Sequence, residues 1–167
     1  ELPEPEAGAE EIRIPDIAEF IKFLHSKNIY AIARISVFQD AYLVKKWPDL
    51  AVKRKSGGIW KDYKGISWLN PASREVWDYT VLVAKEAEAV GFDELNFDYI
   101  RYPSDGNMKD IVLPYAEGAD NKAESIRIFF EYLEKKLRPL EIPLSGDLFG
   151  FVTTHTDDLN IGQILEN

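Results

Sequence analysis

The stretch Gly91-Phe92-Asp93-Glu94-Leu95-Asn96-Phe97-Asp98-Tyr99-Ile100-Arg101-Tyr102-Pro103 decides the fold of this chain. Glycine ends a helix readily, because it takes the left-handed conformation at no steric cost. Residues 92–100 then read as a strand, and Arg101-Tyr102-Pro103 opens a loop. Strand side chains alternate between faces, so Phe97 and Tyr99 point one way while Asn96 and Asp98 point the other.

Working upstream, residues 72–90 carry Val76, Thr80, Val83, Ala84 and Ala87 on one helical face, with Asn70-Pro71 suited to the cap and first turn. Residues 29–38 form a β-branched and apolar run, a buried strand. Before it, residues 16–27 place Ile17, Phe20, Ile21 and Leu24 at i, i+3, i+4 and i+7, with Pro15 near the start and Asn28 at the close. Downstream, a helix over about 122–138 has Asn121 and Glu124 spaced as a capping box and turns Ile126, Phe129, Phe130, Leu133 and Leu137 inward. Pro139 stops it, and residues 142–151 give a third strand. Helix, strand, helix, strand, helix, strand, with near-continuous apolar strands, predicts an α/β fold: parallel strands alternating with helices that cover the sheet. Residues 1–12 read as an acidic loop or arm and 13–167 as one domain.

Composition narrows the function. Hydrophobic residues at 46% supply a core, so the chain folds rather than staying disordered. The net charge of −9 makes nucleic acid and anionic lipid poor partners. No apolar run approaches the ~18 residues of a membrane span. The opening Glu1-Leu2-Pro3-Glu4-Pro5-Glu6 lacks the basic start and apolar stretch of a secretory signal. With no cysteine, disulfides, thiolate metal sites and cysteine nucleophiles are excluded. No phosphate-binding glycine loop or serine nucleophile elbow is present. His25, Glu86 and Glu88 read as surface positions, and His155 with Asp157 and Asp158 as a solvated loop, so neither metal nor cofactor is expected.

Two connections are long, 39–69 with Trp47, Trp60, Tyr63 and Trp68, and 101–120 with Asp105-Gly106 and Pro114. Both follow strands, at the C-terminal sheet edge where parallel α/β folds place their sites. Parity brings Arg34, Asn96, Asp98, Ser145 and Asp147 onto one surface toward that edge. Such charges need partners or a purpose. One reading is a structural salt bridge of Arg34 with Asp98 or Asp147. The other is a pair of reactive carboxylates oriented by an arginine, in the roughly 5–10 Å range that glycosidases use. Flat aromatic faces in the 39–69 loop suit sugar rings, although Trp47, Trp60 and Trp68 equally suit packing of the loop onto the rim.

The 91–103 stretch, together with Ile32-Ala33-Arg34-Ile35, Asn70-Pro71, Glu75-Val76-Trp77-Asp78-Tyr79, Ser145-Gly146-Asp147-Leu148-Phe149-Gly150 and Gly162-Gln163, resembles a bacterial family of glycoside-hydrolase-type TIM barrels long carried as a domain of unknown function, relatives of the α-amylase-like glycosidases. The resemblance runs from about residue 12 to the end. It implies a partial (β/α)8 barrel with about three of the eight β/α units, the strands here resembling the third, fourth and fifth. A complete barrel needs at least roughly 200 residues and typically about 250, more than this chain has. Asp98 then takes the nucleophile position and Asp147 the acid/base position. The fifth strand carries Asp where amylases have Glu, and Asn96 stands where they have arginine. Arg34, Asn96 and Arg101 are expected to bind or orient substrate, and Trp60 and Trp68 to stack on sugar. The implied activity is hydrolysis of an oligo- or polysaccharide, in an extracellular or cell-envelope setting. A non-catalytic glycan-binding or scaffolding module is the alternative, and a metal-dependent barrel enzyme with Asp98 and Asp147 as ligands is a further one. Open sheet edges are expected to favour self-association.

Overall fold

The computed structural model describes residues 14–148. Within them the chain runs α1 (Ile17–Ser26), β1 (Ile32–Ser36), α2 (Ala41–Lys46), β2 (Lys53–Arg54), α3 (Arg74–Val90), β3 (Glu94–Asp98), β4 (Ile111–Val112), α4 (Lys122–Leu137) and β5 (Leu144–Gly146). The order β1-β3-β5 makes a parallel three-stranded sheet, each crossover carrying a helix. The architecture is the parallel α/β alternation expected of part of a (β/α)8-type barrel, with three strands and a helix in both crossovers among the described residues.

Local chemistry sets the element ends. Asp16 caps α1 by accepting from the Glu19 N–H at 3.0 Å, and Asn121 caps α4 through the Glu124 N–H at 2.9 Å. The returning arm of the box goes one residue further back, since the Glu124 carboxylate accepts from the Asp120 N–H. Helix α3 starts later than the sequence indicates. Asn70 uses its side chain to accept from the Ala72 N–H, closing a turn, and Ser73 is the cap, accepting from Val76. Gly91, at φ 110°, ends α3 as expected. The strands are shorter than their apolar runs: Tyr99 has φ 56°, which breaks β3 after Asp98.

One sheet face packs on the helices. Ala33, Ile35, Leu95 and Phe97 are buried there, with Val76, Ala84, Ile126, Phe129 and Leu133 from α3 and α4. Trp77 and Phe38 flank Phe129 with ring centroids at 5.5 and 5.0 Å. The Arg74 guanidinium lies between the Trp77 and Tyr132 rings, 4.5 and 4.4 Å from their centroids, and seals the outer end of the α3–α4 seam.

The two long connections are not separate loops. β2 and β4 pair antiparallel, Lys53 with Val112 and Arg54 with Ile111. The Trp60 indole donates to the Asn107 carbonyl at 3.1 Å. Gly106, at φ 112°, lies so close to Trp60 that a Cβ there would stand 2.5 Å from the ring. The loops form one clasp at the C-terminal edge of the sheet. Residues 1–12, Phe149, Gly150, Phe151 and the 155–158 and 162–163 segments of the sequence reading lie outside the described residues.

Candidate active site

Register builds the site. Arg34 pairs with Asn96 and Asn96 with Ser145, while Ser36 pairs with Asp98. Paired residues share a face, so Arg34, Ser36, Asn96, Asp98 and Ser145 all point away from the helices, into what is the lumen of a barrel. The pairing continues past the strand ends: the Val37 N–H donates to the Asp98 carbonyl and the Asp147 N–H to the Phe97 carbonyl, at 2.9 and 2.8 Å. Asp98 and Asp147 therefore stand on neighbouring strands at the C-terminal edge.

Arg34 bridges them. One terminal nitrogen of its guanidinium pairs with Asp98 Oδ2, and its Nε lies 3.5 Å from Asp147 Oδ2. A single guanidinium spanning both keeps the two carboxylates within the roughly 10 Å upper limit of glycosidase pairs. Their surroundings differ. The Asp98 side chain is 14% exposed and its second oxygen accepts from the Tyr99 N–H at 2.6 Å, whereas the Asp147 side chain is 53% exposed. Asn96 Nδ2 donates to Ser145 Oγ at 3.1 Å and to Asp147 Oδ1 at 3.3 Å. The Ser145 hydroxyl donates to Glu94, which also accepts from the Tyr30 hydroxyl at 3.1 Å. The lumen face is thus one hydrogen-bonded polar sheet surface from Tyr30 to Asp98. Among the described residues Asn96 Oδ1 is buried without a partner, an arrangement folded proteins keep rarely. A tyrosine in the left-handed region directly after Asp98 is a second strained feature of the same spot.

Other expectations change. Trp60 and Trp68 are 1% and 0% exposed, so neither offers a face to a sugar. The reason is tertiary: Gly106 admits the Trp60 ring against the second loop, and Trp68 donates its indole N–H inward to Asp62 at 3.1 Å. Arg101 lies over the Trp68 ring, 4.8 Å from its centroid, and donates to Ser104 Oγ and the Tyr102 carbonyl. The most exposed ring of the 39–69 loop is instead Tyr63, at 81%.

Sequence reasoning missed Asp62, Tyr99 and Glu94. Asp62 stands between Lys61 and Lys64 with no local pattern to mark it, yet it is buried and accepts from the Ile66 and Lys64 N–H groups, Trp68 and Gln39. Burial opposes its ionisation, but those four hydrogen bonds outweigh it and hold its pKa below the usual carboxylate value. Beside β1, Arg34, Ile35, Ser36, Asp40, Tyr79, Thr80 and Val83 line a cavity of about 230 Å³. Burial, and then the Asp40 charge, push the Tyr79 hydroxyl up to about 12. Among the described residues no cluster of three or more His, Cys, Asp or Glu is arranged to hold a metal ion. No described helix is long and apolar enough to cross a membrane.

Parallel strands alternating with helices that cover one sheet face define a partial TIM-barrel-type fold. The chain belongs to the family described as "Putative glycosyl hydrolase domain", whose match runs over residues 3–167. A hypothetical protein from Ruminiclostridium thermocellum, solved by crystallography, is 35% identical with a TM-score of 0.72, over 84% of this chain and 76% of that one. The Thermus thermophilus α-galactosidase in complex with stachyose is 20% identical with a TM-score of 0.58, over 80% of this chain and 28% of that one. A maltogenic α-amylase from Thermotoga neapolitana is 16% identical with a TM-score of 0.53, over 79% of this chain and 28% of that one. The last two show the shared barrel fold, of which this chain spans less than a third of their length. No curated protein sequence matches.

Proposed function

We propose that this chain carries the reacting carboxylates of a glycoside hydrolase that cleaves a glycosidic bond in an oligo- or polysaccharide. The observation that supports this most is the bridged pair: Asp98 and Asp147 at adjacent strand ends, on one face, oriented by Arg34. Asp98, enclosed and fixed by two donors, is the nucleophile. Asp147, on the more open side and touched by Asn96, is the acid/base. In the first step the Asp147 proton passes to the glycosidic oxygen as the bond to the anomeric carbon breaks, and Asp98 meets the oxocarbenium-like centre. In the second, Asp147 takes a proton from a water whose oxygen bonds to the anomeric carbon as the bond from that carbon to Asp98 breaks, which releases the sugar.

Asp98→Asn is expected to lower turnover at least about 10³-fold while leaving the circular dichroism spectrum unchanged. Reducing-sugar release from a panel of polysaccharides, with p-nitrophenyl glycosides alongside, measures it. Undiminished turnover in Asp98→Asn overturns the mechanism.

The specific observation on the side of a non-catalytic glycan-binding module is that Arg34 already engages both carboxylates. That reading expects calorimetric binding of an oligosaccharide by the wild type with no reducing end released, and binding that persists in Asp98→Asn.

A further inference from the structure

We propose that Asp62 is a positioning residue for Asp98, acting through Trp68 and Tyr99. The inference rests on the reading of Asp98 as a reacting carboxylate only for its catalytic consequence; the geometry stands without it.

Asp62 is 7% exposed and divides its two oxygens between two tasks. Oδ1 accepts from the Lys64 and Ile66 N–H groups, both at 2.9 Å, and fixes the turn that carries Tyr63. Oδ2 accepts from Trp68 Nε1 at 3.1 Å and Gln39 Nε2 at 3.4 Å. Both of those partners lead to the site. The Trp68 ring meets the Tyr99 ring edge-on, centroids 6.1 Å apart and planes at 78°. Tyr99 in turn holds φ 56° and donates its N–H to Asp98 Oδ1 at 2.6 Å. A bulky residue does not keep that conformation unless its surroundings enforce it. The Trp68 ring, anchored by Asp62, is one wall that enforces it, and Arg101 lies over the same ring. On the other route, the Gln39 carbonyl accepts from the Ser36 hydroxyl at 2.8 Å, and Ser36 is the register partner of Asp98.

A carboxylate is needed because every partner donates. Asparagine keeps one acceptor oxygen, which can still serve the Lys64 and Ile66 N–H groups, but turns its NH₂ toward the Trp68 N–H, which only donates, while the Gln39 amide can flip to accept. Asp62→Asn therefore removes the link to the site through Trp68 and spares the turn. Trp68→Phe removes the same link from the other end, keeping a ring for Arg101.

The test is hydrogen exchange by NMR on the 167-residue chain, reading the Tyr99 amide against Lys64 and Ile66. Both single variants are expected to speed Tyr99 exchange about tenfold, the scale of one lost charge-assisted hydrogen bond. The double variant is expected to add nothing further, with Lys64 and Ile66 unchanged in Asp62→Asn. On a glycoside that the wild type hydrolyses, kcat falls with KM unmoved. An unchanged Tyr99 amide in Asp62→Asn overturns the proposal, as does simple additivity in the double variant. The exchange experiment needs no substrate, so it fails or succeeds independently of the Asp98→Asn turnover test.

Discussion

Arg34 is the residue on which the site turns, because one guanidinium fixes two carboxylates from strands far apart in sequence. Its position is a matter of parity, and parity is legible: any strand over residues 29–38 that buries Ala33 and Ile35 must present Arg34 on the opposite side. The same logic covers Asn96, Asp98 and Ser145. Asp93 shows a residue whose role parity does not reveal. It accepts from the Ala31 N–H at 2.7 Å and pairs with His25 at 2.9 Å, tying α1 and β1 to the start of β3. The Ala31 bond first, then His25, hold its carboxyl below the usual value, with burial opposing. A depressed folded-state pKa stabilises the fold above the ordinary aspartate value of about 3.9, and that contribution is lost as the pH falls through the folded value. Urea unfolding followed from pH 5 downward is therefore expected to show a steeper loss of stability in the wild type than in Asp93→Asn. Parallel curves for the two proteins refute it.

Among the elements, α1, α3 and α4 were readable because amphipathic periodicity and capping residues are local signals. The small ribbon of β2 and β4 was not. Each strand has two residues, and what pairs them is a contact across more than fifty positions that no short-range pattern encodes. The ribbon joins the loops after β1 and β3 into a single cover, and Gly106 is its hinge of fit. Two costs meet there for any larger residue, a positive φ and a collision with Trp60. Gly106→Ala is expected to destabilise the chain by about 1–3 kcal/mol in a denaturant titration. Trp60 fluorescence is expected to shift red as the ring gains solvent. A variant as stable as the wild type contradicts this account of the clasp.

For the whole molecule, the described residues form a sheet with one covered face and one open face. The open side carries Tyr30 and Ile32 at 55% and 50% exposure, and β1 and β5 are its edge strands among the described residues. Unpaired strand edges next to apolar side chains recruit further strands. The 167-residue chain is therefore expected to sediment as a dimer or larger species, and Ile32→Lys to shift it toward monomer. A wild-type monomer at high micromolar concentration rules this out.

What the sequence by itself determined was the α/β alternation, the parallel order of three strands, and the face on which Arg34, Asn96, Asp98, Ser145 and Asp147 stand. These follow from periodicity and parity, which are properties of neighbouring residues. Tertiary structure alone decided that Trp60 and Trp68 are inside, that Asp62 is a buried acceptor, and that Tyr99 leaves the strand in a strained conformation beside Asp98. Those outcomes depend on which distant residue occupies the space next to each one, Gly106 for Trp60 and Trp68 for Tyr99. Burial of an aromatic ring is settled by its neighbours in space, and the chain names those neighbours only once it has folded.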